Sequence, residues 1–362
     1  MQGQVTPGAE AYVRDLDRGV LGKMLRTMVQ VEQTDMLYLK LQRLNYITFY
    51  MTAQGEEGVQ AGCAAGLEDE DWVCMQYREM GVCLYRGISL NEVAHQIHAT
   101  RLDPNKGHQT PLLFASQAAR IQTTSPPLGT QLPHAAGIGY SLRMQGKKNV
   151  CLGLFGDGAS SEGDAHAGMN FAATRQSQTL FFCRNNGFAI STPSTEQYAG
   201  QGVAERGVGY GMPAVRVDGN DPIAVLQATK AARAEVLNRP GPVLVEALTY
   251  RRGHHSSSDD STRYRSQEVT QHYETVDNSI MRFSKFLQLH GLADMDLEEV
   301  RRKAAGEVKA AWEEAKGTPL PSWEAMFEDV YDQPTPELLQ QKAEFGAHYR
   351  KYKKYYDEKV LH

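Results

Sequence analysis

The sequence predicts an α/β fold of three layers, a doubly wound parallel sheet between helices, with a helical extension at the C-terminal end. Three observations carry this. Apolar runs at 71–75, 148–155, 179–183, 215–217 and 242–251 alternate with stretches of helical period, as a parallel sheet with crossover helices requires. Two of these runs lead into turns that bear polar groups, Gly156-Asp157-Gly158 and Asn185-Asn186-Gly187. The helix expected between them, from Ser161 to Gln176, carries Ala165, Gly168 and Ala172 on one side, which suits close packing on a sheet.

Taken in order, residues 1–19 are aperiodic and read as an N-terminal arm. From Val20 to Tyr46, Leu21, Met24, Leu25, Met28, Val31, Met36, Leu39 and Leu44 recur at helical spacing, and a core stripe explains the methionines better than a binding face. Gly55-Glu56-Glu57-Gly58 opens a helix of small residues. Strand Asp71–Met75 runs into Gln76-Tyr77-Arg78-Glu79, which places polar groups at the edge of the sheet where ligands bind. The plainer reading of Arg78 is a surface ion pair with Glu79 or a neighbour. Lys106–Arg120 has few signals. Thr124–Gln131 is a loop stiffened by Pro126 and Pro127 ahead of a helix from Leu132 to Leu142. After Asn186 come a strand at Val215–Asp218, a helix from Pro222 to Leu237, and a strand from Pro242 to Arg251. This last strand delivers the polar loop Gly253–Asp260. Gln267–Leu289, Asp296–Lys316, Ser322–Tyr331 and Pro336–Tyr356 read as helices. The chain therefore divides into the arm 1–19, an α/β domain 20–330 and a helical tail 331–362.

Composition narrows the function. A formal charge of −5 with 22% charged residues, and no basic block ahead of the tail, excludes a nucleic-acid partner. No apolar run approaches the roughly 18 residues of a membrane span. The first 19 residues contain acids and lack an apolar signal core, which together with Met1 predicts a bacterial cytoplasmic protein, or a mitochondrial matrix protein only if a transit peptide has been removed. Five cysteines with no CxxC pair read as buried thiols in a reducing compartment.

The acid and the amide at two neighbouring strand ends can hold a divalent cation. Mg²⁺ takes about six oxygens, typically one or two carboxylates with phosphates and water. Asp157 supplies an anionic oxygen, Asn186 a neutral one, and a backbone carbonyl just past it, that of Phe188, completes the protein's share. A lone GDG is most often a turn; two such turns joined by one helix reverse that reading. His254 and His255 are open to three readings: metal ligands, an acid–base pair suited to neutral pH, or a solvated polar loop.

GDG followed after 26 residues by Asn185-Asn186 resembles the thiamine diphosphate motif. Gly158–Asn170 (GASSEGDAHAGMN), Arg184–Pro193 (RNNGFAISTP) and Tyr250–Arg265 (YRRGHHSSSDDSTRYR) resemble the alpha subunits of the branched-chain 2-oxo acid dehydrogenases, a likeness that runs from about Met24 to about Tyr331. The resemblance implies thiamine diphosphate and Mg²⁺ as cofactors, held by Tyr77, Arg78, Leu128, Gly156, Asp157, Gly158, Ala159, Arg184, Asn186 and His255. It implies catalytic roles for His255, His254 and Gln76, and a K⁺ site from Ser125, Pro127, Thr130 and Gln131. Where it leads one to expect a second serine this chain has Pro126, so a side-chain hydrogen bond there is lost. It further implies an alpha-2 beta-2 assembly with a beta subunit that supplies the activating glutamate, and transfer of the acyl group to the lipoyl arm of a separate transacylase. Ser256 occupies the position that kinases modify in the mitochondrial relatives. The loop His254–Asp260 is of the branched-chain form, with Phe114, Tyr77 and Leu128 as candidate walls for the substrate's alkyl group. A pyruvate or acetoin dehydrogenase alpha subunit, a metal-dependent hydrolase using Asp157, His254, His255 and Asp259, and a non-catalytic subunit with a decayed half-site are the rival readings.

Overall fold

Every residue of Leu180–Phe182 and of Val243–Val245 is buried, so the strands that contain them must be covered on both faces. In the computed structural model, which describes Val13, residues 16–292 and residues 295–356, these strands belong to a five-stranded parallel sheet. Its members are β1 (Trp72–Cys74), β2 (Cys151–Gly156), β3 (Thr179–Asn185), β6 (Ala214–Asp218) and β7 (Val243–Leu248), in spatial order β1-β2-β3-β7-β6. A small hairpin, β4 (Phe188–Ala189) with β5 (Thr192–Pro193), follows β3.

Helices α1 (Arg18–Arg43) and α2 (Glu57–Ala65) precede β1, while α3 (Met80–Tyr85), α4 (Leu90–Ile97) and α5 (Gln131–Met144) lie between β1 and β2. Helix α6 (Gly163–Thr174) joins β2 to β3, α7 (Ser194–Gln197) and α8 (Ala204–Gly209) follow the hairpin, and α9 (Pro222–Asn238) joins β6 to β7. Beyond the sheet come α10 (Gln267–Thr275), α11 (Ser279–Leu289), α12 (Leu297–Gly317) and α13 (Pro336–Tyr352).

The alternation of side chains along the strands sorts the two faces. Leu152, Leu154, Leu180, Phe182, Val243 and Val245 share a core with Val59 and Cys63 of α2 and Val225 and Val236 of α9. Phe155, Phe181, Cys183 and Leu244 share another with Leu132 and Ala136 of α5 and Ala165, Met169 and Ala172 of α6. The expected three layers are present.

Three expectations are corrected in detail. The stretch Gln267–Leu289 is two helices, because the Asn278 side chain accepts from the Met281 N–H (3.1 Å) and starts α11 afresh. Ser322–Tyr331 holds only a 3₁₀ turn at Trp323–Phe327, where the Trp323 ring is held against Phe345 and Tyr349 of α13, centroids 5.6 and 5.8 Å apart. The stripe on α1 buries Leu21, Met24, Leu25, Met28 and Val31 but leaves Met36 and Leu44 exposed. Of the arm expected over 1–19, only Val13 and residues 16–19 are described, and Arg18 already opens α1. All five cysteines are buried and unpaired, and no helix among the described residues is long and apolar enough to cross a membrane.

What this arrangement positions is one rim of the sheet. Gly156 is registered on Arg184, and Arg184 on Ala247. The loops after β1, β2, β3 and β7 therefore emerge side by side.

Candidate active site

Asp157 follows the last residue of β2 and is 1% exposed. Its Oδ1 accepts from the Asn186 N–H (3.2 Å) and its Oδ2 from Gln197 Nε2 (3.2 Å). Burial pushes its carboxyl up to about 6, and Glu56 adds to the rise. Asn186 Oδ1 accepts from the Phe188 N–H (3.1 Å), a turn made possible by Gly187 at φ +83°, where a side chain would be strained. Gly158 is confined differently, because a Cβ there would stand 2.9 Å from the Ala189 Cβ. Gln76, which continues the line of β1, accepts the Gly156 N–H at Oε1 (2.7 Å) and ties the first strand's loop to the second's.

From Asn186 a chain of buried polar contacts crosses the rim. Asn186 Nδ2 donates to Glu56 Oε1 (2.9 Å), and Glu56 Oε2 pairs with Arg184 Nη1. Arg184 Nε (2.9 Å) and Nη2 (2.5 Å) both reach Glu79 Oε1, while Glu79 Oε2 accepts the Arg78 N–H (3.0 Å). Burial pushes the Glu56 carboxyl up, but Arg184 and Arg78 outweigh it and hold it below the usual carboxylate range. Burial also opposes the charge on Arg184, and Glu79 and Glu56 reverse this and hold its pKa above the ordinary guanidinium value. Neither glutamate stood out in the sequence as part of a site. The one available signal was a pair of acids, Glu56 and Glu79, each opening a helix of small or apolar residues.

Beside this network lies a cationic cluster. Arg78 Nη1 donates to the Thr52 carbonyl and Nη2 to the His255 carbonyl (2.8 Å). Arg251 Nη2 donates to the Ile190 carbonyl (2.8 Å) and to Tyr264 Oη (3.0 Å). Both guanidiniums belong to residues no more than 3% exposed, neither forms an ion pair with a carboxylate among the described residues, and Arg251 Nε is buried without a partner. Burial, and then Arg78, lowers the pKa of Arg251. Two buried cations facing mainly carbonyls form a site that a polyanion completes. Asp157 has no cation directly upon it, which suits a dication that takes its other oxygens from that polyanion.

The dehydrogenase E1 component family matches residues 25–324 of this chain. The chain belongs to that family. It is 45% identical to the mitochondrial 2-oxoisovalerate dehydrogenase subunit alpha of Dictyostelium discoideum over 332 residues, 91% of this chain and 75% of the relative. It is 45% identical to that of Caenorhabditis elegans (92% and 78% covered) and 42% identical to that of Homo sapiens (98% and 80%). The E1 chain is thus an enzyme component of the oxidoreductase class. These comparisons correct one expectation. The relatives are named as mitochondrial proteins, which overturns the bacterial cytoplasm read from residues 1–19. That expectation rested on the composition of residues 1–19, which does not fix a cellular address.

The remaining expected residues of the E1 chain fall into three groups. Tyr77, Arg78 and His255 come together: the Tyr77 and His255 rings meet edge to face at 6.1 Å, and His255 Nδ1 lies 3.4 Å from Arg78 Nη2 and 3.5 Å from Arg251 Nη1. An arginine can only donate, so Nδ1 accepts and the ring proton sits on Nε2. His254 turns away, its Nδ1 accepting from the Ser261 N–H (3.0 Å), so the adjacent histidines diverge. No group of three or more His, Cys, Asp or Glu among the described residues could hold a metal ion, and the four residues of the hydrolase reading are not gathered. In the second group, Thr130 Oγ1 donates to the Pro127 carbonyl (2.9 Å), and Gln131 Nε2 to the Leu154 carbonyl (3.0 Å), leaving Gln131 Oε1 buried without a partner. Ser125 is half-buried beside them. Third, Ala159 is buried, Leu128 is exposed, and Phe114 is packed into the core. Arg78 does not pair with Glu79 through its guanidinium, as the plainer reading had it.

Burial, with Arg78 and Arg251, lowers the pKa of His255 to about 4. The unfolded chain takes up its proton near 6.5, so this residue's contribution to stability is present above 6.5 and lost as pH falls towards 4. His255→Asn is expected to flatten the acid limb of stability in that window and to change nothing above it. Urea titrations at a series of pH values check this, and parallel acid limbs would refute it.

Proposed function

We propose that this chain is the alpha subunit of a thiamine diphosphate-dependent branched-chain 2-oxo acid dehydrogenase, which decarboxylates 2-oxo acids such as 2-oxoisovalerate. It works in an alpha-2 beta-2 assembly with a beta subunit, and the acyl group passes to the lipoyl arm of a separate transacylase. The observation that carries the reading is the pair of buried guanidiniums, Arg78 and Arg251, without carboxylate partners and beside Asp157 and Asn186 at a common strand edge. A magnesium diphosphate fits that donor set. The names of the relatives supply the substrate class.

In this reading Asp157, the Asn186 side chain and the Phe188 carbonyl hold Mg²⁺. Arg78, the second N–H of each Arg184 Nη group, and the Nε2–H of His255 take phosphate oxygens by charge-assisted hydrogen bonds. Gly156, Gly158 and Ala159 let the backbone approach them, while Tyr77 and Leu128 face the rings. Gln76 fixes the Gly156 amide and His255 serves proton movement at Nε2, while His254, expected to share that role, is turned towards Ser261 and holds the loop. Thiamine diphosphate, when bound, supplies the electron sink for decarboxylation. The unpartnered Gln131 Oε1 supports a K⁺ site with Ser125, Pro127 and Thr130. Residues 20–330 form the catalytic domain, with 331–362 as its tail.

With the complex reconstituted from both subunits, kcat/KM for 2-oxoisovalerate is expected to exceed that for pyruvate. Each methylene in an apolar pocket is worth roughly 1–3 kcal/mol, so a discrimination of about ten- to two-hundredfold per methylene follows. A preference for pyruvate would reassign the substrate, and decarboxylation by the single chain without thiamine diphosphate would refute the reading altogether.

A further inference from the structure

Residues Tyr50–Gly55 run between α1 and the loop after β7, in neither helix nor strand. On the loop side the Ser257 N–H donates to the Tyr50 carbonyl (3.0 Å), the Tyr50 N–H to Ser257 Oγ (3.3 Å), and the Arg252 N–H to the Gln54 carbonyl (2.8 Å). Midway along it, the Thr52 carbonyl receives Arg78. On the helix side two side chains of α1 hold the segment: the Tyr38 ring stacks on Tyr50, centroids 5.6 Å apart, and Asp35 supplies the hydrogen bonds. Asp35 of α1 accepts from Tyr50 Oη at Oδ1 (2.9 Å) and from the Ala53 N–H at Oδ2 (2.7 Å).

Tyr50 and Ala53 are packed into the core, but the side of the segment towards the histidine loop is open. A cavity of about 220 Å³ opens between it and the histidine loop, lined among others by Leu39, Thr52, Gln54, Arg252 and His254, and Thr52 Oγ1 is buried there without a partner. With little packing on that side, hydrogen bonds set how Thr52 and Gln54 stand against the loop. Asp35 is also an odd residue for its place, since it is fully buried on a helix face otherwise filled by Met28, Val31 and Tyr38. Burial pushes its carboxyl up to about 8 against the pull of Tyr50 and Ala53. A carboxyl so buried does not by itself add to stability, and a hydrophobic side chain of similar volume would serve the core better.

We propose that Asp35 is a positioning residue of the anion cluster: by anchoring Tyr50 and Ala53 it sets, through the Thr52 carbonyl and the Ser257 and Arg252 amides, where Arg78 and His255 stand. The inference rests on the reading of that cluster as the diphosphate site, and its first readout does not.

Hydrogen exchange on the assembled enzyme measures the Ser257 and Arg252 amides directly. Asp35→Ala is expected to speed both by at least about tenfold, the factor equivalent to one lost hydrogen bond of about 1.4 kcal/mol. It is also expected to raise the KM for thiamine diphosphate by a similar factor, with the KM for the 2-oxo acid unchanged. Asp35→Asn rescues both, because Oδ1 still accepts the Ala53 N–H while Nδ2 donates to Tyr50 Oη. Tyr50→Phe keeps the stacked ring and removes one bond, so it shifts exchange in the same direction by less, and it decides the matter if Asp35→Ala does not fold. Unchanged exchange in every folded variant among Asp35→Ala and Tyr50→Phe overturns the proposal. So does an Asn variant no better than Ala with both KM values raised alike. Faster exchange in Asp35→Ala, in an enzyme whose wild type shows no thiamine diphosphate dependence, leaves Asp35 in its role and removes the cofactor reading instead.

Discussion

Asp157→Ala is expected to abolish Mg²⁺-dependent binding of thiamine diphosphate in the assembled enzyme and to leave the fold intact. The carboxylate is buried and its pKa is raised by that burial, so without a cation its charge works against the folded state. Alanine relieves this and removes only two hydrogen bonds, from the Asn186 amide and from Gln197. In the proposed reading it is the anionic ligand of a dication, and no substitute lies nearby, because Glu56 is engaged with Asn186 and Arg184. Losing one partner of a buried charge pair costs about 3–5 kcal/mol, which is at least about a hundredfold in affinity. Calorimetric titration of thiamine diphosphate with Mg²⁺, alongside a thermal melt, measures both halves. Wild-type affinity in the variant would return GDG to the status of a turn.

The second large effect is on stability. Arg184→Met leaves Glu56 and Glu79, at most 1% exposed, without their shared cation. A loss of about 3–5 kcal/mol is expected, the range for stranding a buried charge. Adding Glu79→Gln should recover part of it, since a neutral amide tolerates the site that an unpaired carboxylate does not. Chemical denaturation of the single and double variants tests the pairing. A loss under about 1 kcal/mol in Arg184→Met, the scale of a surface ion pair, would mean that water reaches the triad.

The parts of the site that were legible in the sequence are those written locally. Apolar runs ending at Gly156 and Asn185 announced β2 and β3, and the turns after them carried the acid and the amide. The expectations that failed in detail were of the same local kind. Gln267–Leu289 keeps an apolar rhythm across Asp277 and Asn278, and only the capping bond to Met281 shows that the helix restarts. Glu56, Glu79, Arg251 and Asp35 went unread for a different reason. Each acts across a large separation in the chain, Glu56 on Arg184 and Asp35 on the segment that meets Ser257, and no periodicity encodes such a meeting. Composition failed where it was asked about cellular address, because no fold or packing constraint ties the composition of 19 residues to a compartment.

The shared rim of β1, β2, β3 and β7 also bears on how such a chain can change over generations. Neighbouring strands stand about 4.8 Å apart, and each residue advances a strand by about 3.3 Å and turns its side chain to the opposite face. The lateral spacing of Arg78, Asp157, Arg184 and the histidine loop is therefore set by the sheet's own repeat and is independent of loop length. Insertions between α4 and α5, or within the tail, leave it untouched. One residue gained or lost inside Cys151–Gly156 carries Asp157 past its partners and onto the wrong side of the pleat, even with every apolar position still filled. Length variation is thus open to the connections and closed to four short strands.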